Sequence, residues 1–406
     1  MNEDRLRALL RQAPIPGQDE AERRGREMVS QAFAQRQVSP RPVLPRLAFA
    51  LATGALIAAL LLTPAGAAVR HWIGDAFTAS VPDAEPALTE IPGGGQLLVQ
   101  SSDGPWVVQA DGSRRLIGSY EQATWSPHGL FVGATSRHTL SAVEPDGTVH
   151  WSLSAKALLS DPRWSASGFR IAYRAGRSLR VVAADGTGDA LLDPLIAPIP
   201  PVWFPLGLHL LAFIDARGEL RIANSDTAET IGAAQALPGI ASLGWSPSGS
   251  MLLEASKRDL RVRRLTFSKL GANLALGAAH RVHLPEGAAI RSASFSPRGE
   301  TVAVLLRLPA RRGRPPHSEV VLVDPRGRPQ RRLFGAPGHL SDLAWSPDGH
   351  HLLIGWPDAD QWLFIPVDGQ GRVRAIDGIS GEFAPGEPES ATFPRIDGWC
   401  CTTPNR

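Results

Sequence analysis

Cysteine is almost missing from the chain: there are two, side by side as Cys400 and Cys401. A disulfide framework is thereby excluded as the source of stability. Ordinary disulfide geometry sets Cα atoms further apart than adjacent residues allow, so the expectation is free thiols or a bond to another molecule. A catalytic thiol would need a partnered base, and no motif supplies one. No G-x-S-x-G occurs, nor any calcium-loop or phosphate-loop pattern. The tightest histidine pairs are His280 with His283 and His350 with His351. On strands those spacings put the two rings on opposite faces, wrong for a shared metal. No catalytic residue, metal ligand or cofactor is therefore expected. Lysine is scarce too, and the net charge is only +3. Without a concentrated basic stripe interleaved with aromatic platforms, nucleic acid is not an expected partner.

The chain is rich instead in turn formers and tryptophan: 40 Gly, 35 Pro and 11 Trp in 406 residues. An apolar run ends in "WSPDG" at Trp345 and another follows it. The same event recurs as "TWSPHG", "RWSASG", "VWFPLG", "GWSPSG" and "SFSPRG". The rings are Trp125, Trp164, Trp203, Trp245, Phe295 and Trp345. Their spacing of roughly 40 to 50 residues is that of four short strands and their turns. Between them lie apolar runs of strand length and Gly-containing turns, and no long amphipathic helix follows residue 90. Pro presets the turn and Gly closes it. One large ring per repeat, always just before a turn, predicts a side chain filling the seam between neighbouring units.

The "WSPDG" pattern followed by an aliphatic strand resembles the repeat of the TolB-type, WD-repeat-like β-propellers, over about residues 93–399. The resemblance implies an all-β fold of four-stranded blades and no particular chemistry. Before the first ring, "GQLLVQSS", "PWVVQADG" and "SRRLIG" supply three strands without a strand one; "ESATFPRI" around Phe393 supplies a lone strand one near the far end. Joining them predicts a seventh blade that closes the ring. Six or eight blades would follow if the long unit from Trp245 to Phe295 is irregular. Residues 400–406 are read as a tail.

Residues 47–69, "LAFALATGALIAALLLTPAGAAV", carry no charge. As a helix they would span about 34 Å, against a hydrocarbon core of roughly 30 Å. Nine Arg lie in residues 1–46, whereas beyond Arg70 no Arg or Lys occurs until Arg114. The positive-inside rule then keeps the N-terminus in the cytoplasm and exports the propeller as a single-pass protein. "AGA" at Ala65–Ala67 resembles a signal-peptidase site, but the long preceding region favours an uncleaved anchor. Residues 1–46 read as a cytoplasmic arm of two short helical stretches and a Pro-rich spacer, and residues 70–92 as a linker. The arm's small apolar stripe is open to a cytosolic protein, to lipid headgroups or to solvent. The layout resembles that of membrane-bound anti-sigma factors, without the His and Cys ligands of their zinc type: the first His is His71.

In a blade whose strands alternate in direction, the turns after strands one and three share one face. The two-to-three loops and the links between blades share the other. That second face carries Arg137, Arg174, Arg177, Arg217, Lys257, Arg258, Arg307, Arg311, Arg312 and Arg314, offset by Asp215, Asp259, Asp358 and Asp360. The excess is positive. The expectation is a membrane-anchored binding module that takes an anionic cell-envelope ligand, a headgroup surface or an acidic protein on this loop face. The alternative is an exported propeller enzyme or an accessory subunit of an envelope complex.

Overall fold

The computed structural model describes Glu85 and residues 87–401, apart from 268–273, 312–314, 327, 370 and 385–390. The expected arm (1–46), membrane span (47–69) and most of the linker lie outside the described residues. Among the described residues no helix is long and apolar enough to cross a membrane.

Seven four-stranded antiparallel sheets make up the described residues. Six are chain-order meanders. Blade 1 holds β4 (Gln122–Trp125) to β7 (Val149–Ser154), and blade 2 β8 (Leu159–Trp164) to β11 (Ala190–Asp193). Blade 3 runs from β12 (Val202–Trp203) to β15 (Thr230–Gln235), and blade 4 from β16 (Ile240–Trp245) to β19 (Leu274–Arg281). Blade 5 runs from β20 (Ala289–Phe295) to β23 (Pro329–Pro337), and blade 6 from β24 (Ser341–Trp345) to β27 (Arg374–Ile376). The seventh joins the two ends of the fold: β28 (Arg395–Cys400) pairs with β1 (Gln96–Gln100), followed by β2 (Pro105–Val108) and β3 (Arg114–Leu116). The strands one touch in sequence, β28 to β4 to β8 to β12 to β16 to β20 to β24 and back to β28, so the ring is closed. The long unit from Trp245 is a regular four-stranded blade, its length taken up by eight-residue strands.

The repeated motif is legible atom by atom. After each ring the serine is buried, and its hydroxyl accepts the backbone N–H five residues on: Ser126 from Phe131, Ser165 from Arg170, Ser246 from Met251, Ser296 from Thr301 and Ser346 from His351, at 2.9–3.3 Å. The turn Gly N–H returns to the same serine's carbonyl, as from Gly129 to Ser126. Blade 3 has Phe204 in place of the serine, and its turn is one residue longer, with Phe204 N–H bonded to the Leu210 carbonyl. Its strand one is only two residues long, because Pro198, Pro200 and Pro201 withhold ladder donors.

Seven clusters of buried apolar residues fill the seven seams, so the core is a ring of interfaces. Trp164, Trp203, Phe295 and Trp345 are buried in these clusters, with Trp125 and Trp245 half-buried against them. Several indoles also reach the previous blade: Trp203 Nε1–H donates to the Arg163 carbonyl (2.8 Å), Trp245 to Val202 (3.1 Å) and Trp345 to Ser294 (3.3 Å). Each acceptor is the residue just before the neighbouring ring. Trp164 has no such acceptor, and its pyrrole edge lies 2.8 Å from where a Cβ of Gly133 would stand, so a glycine is required there.

Three details depart from the sequence reading. The closing strand begins two residues after Phe393, and the ring at the seam position is Trp399, which stacks edge-on to Phe364 and donates to the Gly94 carbonyl; Phe393 packs half-buried against the same cluster. At the described end of the linker, Leu88 and Ile91 are buried in that cluster and Glu85 pairs with Arg374 at 2.6–2.7 Å. Finally, Cys400 and Cys401 are disulfide-bonded to each other (S–S 2.03 Å), not free, and Cys400 belongs to the closing strand. The left-handed backbone at Cys401 (φ 53°) folds the pair back on itself.

If the indole bonds contribute to the seams, Trp203→Phe should cost about 1 kcal/mol more than Trp164→Phe, which loses no hydrogen bond. Urea unfolding midpoints of the two variants provide the measurement.

Candidate functional site: the channel and its loop face

Strand one of each blade faces the space enclosed by the ring, and three of these strands place charge there. On β8, Asp161 and Arg163 flank Pro162; on β24 stands Asp342; on β28 stand Arg395 and Asp397. Arg163 feels the charges of Asp397, which attracts it, and Arg395, which repels it, although both stand two blades away. Burial lowers the pKa of the Arg163 guanidinium, opposed by Asp161 and Asp397.

Asp161 and Asp342 both lie three residues before their blade's tryptophan, in bulges of strand one. Both have left-handed backbones, φ 53° and 40°, a region that Asp tolerates better than most side chains but at a cost. Asp161 is consumed locally: Arg174 Nη1–H donates to its carboxylate at 2.8 Å, and its N–H reaches Gln122. Asp397 is held bidentately by Arg395 at 2.6 and 3.1 Å, a bond that raises the Arg395 pKa. Asp342 is the exception. Burial pushes its carboxyl above the usual range, against the pull of the Ile396 N–H, Ser341 and Arg395. The channel thus holds two neutralised pairs, one guanidinium whose bond is to the Pro162 carbonyl, and one carboxyl that resists ionisation.

On the loop face, the tips of the two-to-three hairpins carry Arg137, Arg177, Arg217, Lys257 and Arg258, all exposed. At three of them the backbone does structural work while the side chain is left outward. The Arg137, Arg177 and Lys257 carbonyls accept N–H groups from Leu159, Ile196 and Ile290 of the next blade's approach. The remaining expected cations divide differently. Arg174 is bound to Asp161, Arg307 to the Gly338 carbonyl, and Arg311 to Glu286 at 3.2 Å. Arg312 and Arg314 lie outside the described residues.

Each offsetting acid has a partner within the fold, although only Asp215 is buried and Asp358 is itself exposed. Asp215 accepts the Arg217 and Glu219 N–H groups, Asp358 that of His339, Asp360 both the N–H and hydroxyl of Ser380, and Asp259 pairs with Arg281. Reading only the two-to-three loops missed Lys156, exposed on the link into blade 2, and Arg291, exposed at the start of β20 and 2.7 Å from His339. Burial, then Arg291, lowers the His339 pKa. Their signal was position: a link between blades and the first residues of a strand one share this face. Among the described residues no group of His, Cys, Asp and Glu is placed to hold a metal ion. A cleft of about 600 Å³ between blades 4 and 5, lined by Met251, Arg264 and Glu300, shares no residue with the channel cluster.

The fold is a seven-bladed, WD-repeat-like β-propeller. The chain is similar to KlHsv2 with loop 6CD replaced by a Gly-Ser linker (TM-score 0.51, 13% identity, covering 69% of this chain and 93% of that one). It is also similar to the Cps50 (Swd1) β-propeller domain of Myceliophteria thermophila (TM-score 0.49, 17% identity, 64% and 92%). A third similar structure is Kuenenia stuttgartiensis hydrazine synthase (TM-score 0.45, 15% identity, 61% and 76%). At these identities the likeness concerns fold alone. No protein-family model matches the chain, and no curated protein matches it.

A carboxyl held above its ordinary value of 3.8 binds its proton more readily folded than unfolded. Its contribution to stability is therefore complete below the unfolded pKa and is lost as pH rises through the folded one. Asp342→Asn, which also suits the left-handed backbone, should raise the melting temperature at about pH 7 and change it little near pH 3.5. Calorimetry at the two pH values checks both the sign and the window.

Proposed function

We propose that the chain is a TolB-type propeller that binds an anionic ligand or protein partner of the cell envelope on its loop face. It is held outside the cytoplasm by residues 47–69, with residues 1–46 as an arm open to a cytosolic partner. A propeller fits a protein-binding module in general, and the observation that carries this reading is the asymmetry of the loop face. Five cations stand outward on hairpin tips, while Asp215 is buried and Asp360 half-buried on the same face, both serving internal hydrogen bonds. Exposed cations around a ring mouth concentrate an anionic partner and steer its approach, an effect that salt screens.

The second reading, an exported enzyme or an accessory subunit of an envelope complex, is favoured by Asp342 alone. A carboxyl with a raised pKa in an enclosed, left-handed site is the kind of group that serves as a general acid. Among the described residues the other channel carboxylates, Asp161 and Asp397, are each held by an arginine, and the loop-face asymmetry makes binding the stronger reading.

With poly-glutamate as the probe, the triple variant Arg177→Ala, Arg217→Ala, Arg258→Ala should bind about tenfold more weakly than the full native chain and show a shallower salt dependence. Unchanged affinity counts against the loop face. The topology is checked separately. A reporter active only outside the cytoplasm should work when fused after Arg406 and fail when fused before Met1. The reverse pattern removes the anchor reading.

A further inference from the structure

The opposite face, made by the Ser-Pro-Asp-Gly turns, is not uniform. At the position after the turn glycine, blades 4, 5, 6 and the closing blade carry Ser250, Glu300, His350 and Gln96. Blades 1, 2 and 3 carry Leu130, Phe169 and Leu208, and Leu206 stands beside the last. These four side chains are 65%, 69%, 52% and 61% exposed, with Leu206 the last of them.

They sit on adjoining turns. A Cβ built on Gly168 would be in contact with Pro127 of the blade 1 turn (3.8 Å), and Arg170, next to Phe169, lies 3.3 Å from His209, next to Leu208. Single exposed apolar residues are ordinary, but large ones on the adjoining turns of three consecutive blades make an arc of the type that marks a protein interface.

Around the arc, the three-to-four turns of the same blades are acidic. Asp146 and Asp185 each commit one oxygen, to Thr148 and Thr187, and hydrogen bonding from those threonines keeps both carboxyls below the usual range, helped at Asp146 by Arg115, whose Nη1–H donates to the Asp146 carbonyl. Glu229 is exposed on the blade 3 turn. Asp226, by contrast, is neutralised by Arg170 and His209.

We propose that this arc is a docking surface for a basic amphipathic segment of a partner protein, whose apolar side chains meet Leu130, Phe169, Leu206 and Leu208 and whose Arg or Lys residues meet Asp146, Asp185 and Glu229. The acidic border selects the occupant. An anionic lipid surface would be repelled by it. A second copy of the arc would bring like charges together. A segment with an apolar stripe and cationic flanks satisfies both parts of the surface, as helices do in apolar grooves.

The test uses the full chain and two labelled synthetic amphipathic peptides of one pattern, Leu/Lys and Leu/Glu, followed by fluorescence anisotropy. The Leu/Lys peptide should bind saturably and the Leu/Glu peptide should not. Phe169→Ser with Leu208→Ser should weaken binding about tenfold. Asp146→Asn with Asp185→Asn, which keeps the turn acceptors, should weaken it about threefold and flatten its salt dependence. The triple arginine variant of the loop face should bind the peptide as the native chain does. Because the substituted residues are exposed, melting curves should be unchanged. Equal binding of both peptides, or no effect of the apolar substitutions, overturns the proposal. So does a dimer in sedimentation that the Phe169 and Leu208 substitutions dissociate, or adhesion to phosphatidylglycerol vesicles that they abolish; either names a different occupant.

Discussion

The pairing of Arg395–Cys400 with Gln96–Gln100 turns six open meanders into a ring. Each blade buries its apolar faces against both neighbours, so an open ring would leave two such faces in water. The closing blade repairs both at once. It is reinforced where the chain enters, by the Glu85–Arg374 pair and by Leu88 and Ile91 under the seam. Stability in this fold is therefore a property of the circle, and no single blade is expected to be stable by itself.

Closure also creates the chemistry of the axis. Strand one of each blade has a sheet neighbour on only one side, so charges on it act on those of other strands one, as Asp397 and Arg395 do on Arg163. Bulges in β8 and β24 hold Asp161 and Asp342 at equivalent places in two repeats. One is neutralised by Arg174 and the other is not. A repeated scaffold thus becomes asymmetric by changing which partners stand beside an otherwise equivalent residue. The two faces differ in the same way. The loop face leaves cations outward where their backbones, not their side chains, tie the blades together, whereas the turn face changes from apolar to polar at the residue after each glycine.

Much of the architecture is legible in the amino-acid order because its determinants are local. A ring, a buried serine, a proline and a glycine within five residues specify a strand end and a turn, and recurrence reveals the blade. The role of the serine was hidden behind the more familiar chemistry of proline and glycine. The closing strand was harder to place: "GWCC" lacks the serine and proline, so Phe393 drew attention while Trp399 occupies the seam. The cysteine pair was misjudged by applying the spacing of ordinary disulfides to neighbours whose backbone turns left-handed. The channel cluster was out of reach, since Arg163, Asp342 and Asp397 come from three different repeats and no local pattern links them. Exposure on the loop face was readable from turn position, but pairing was not. Asp161, the partner of Arg174, sits on a different strand, and nothing in the spacing announces it.

The indole of Trp399 donates to Gly94, 305 residues earlier in the chain. A clasp between such distant segments carries a large loop-closure entropy and can form only after everything between has been made. Until then the blades exist as neighbours with uncovered flanks and unpaired edges, the condition most exposed to misassembly and to capture by other chains. The molecule consequently commits to its native state late and all at once, and a helper that shields the first strands of the sheet would act upon it at its most vulnerable moment.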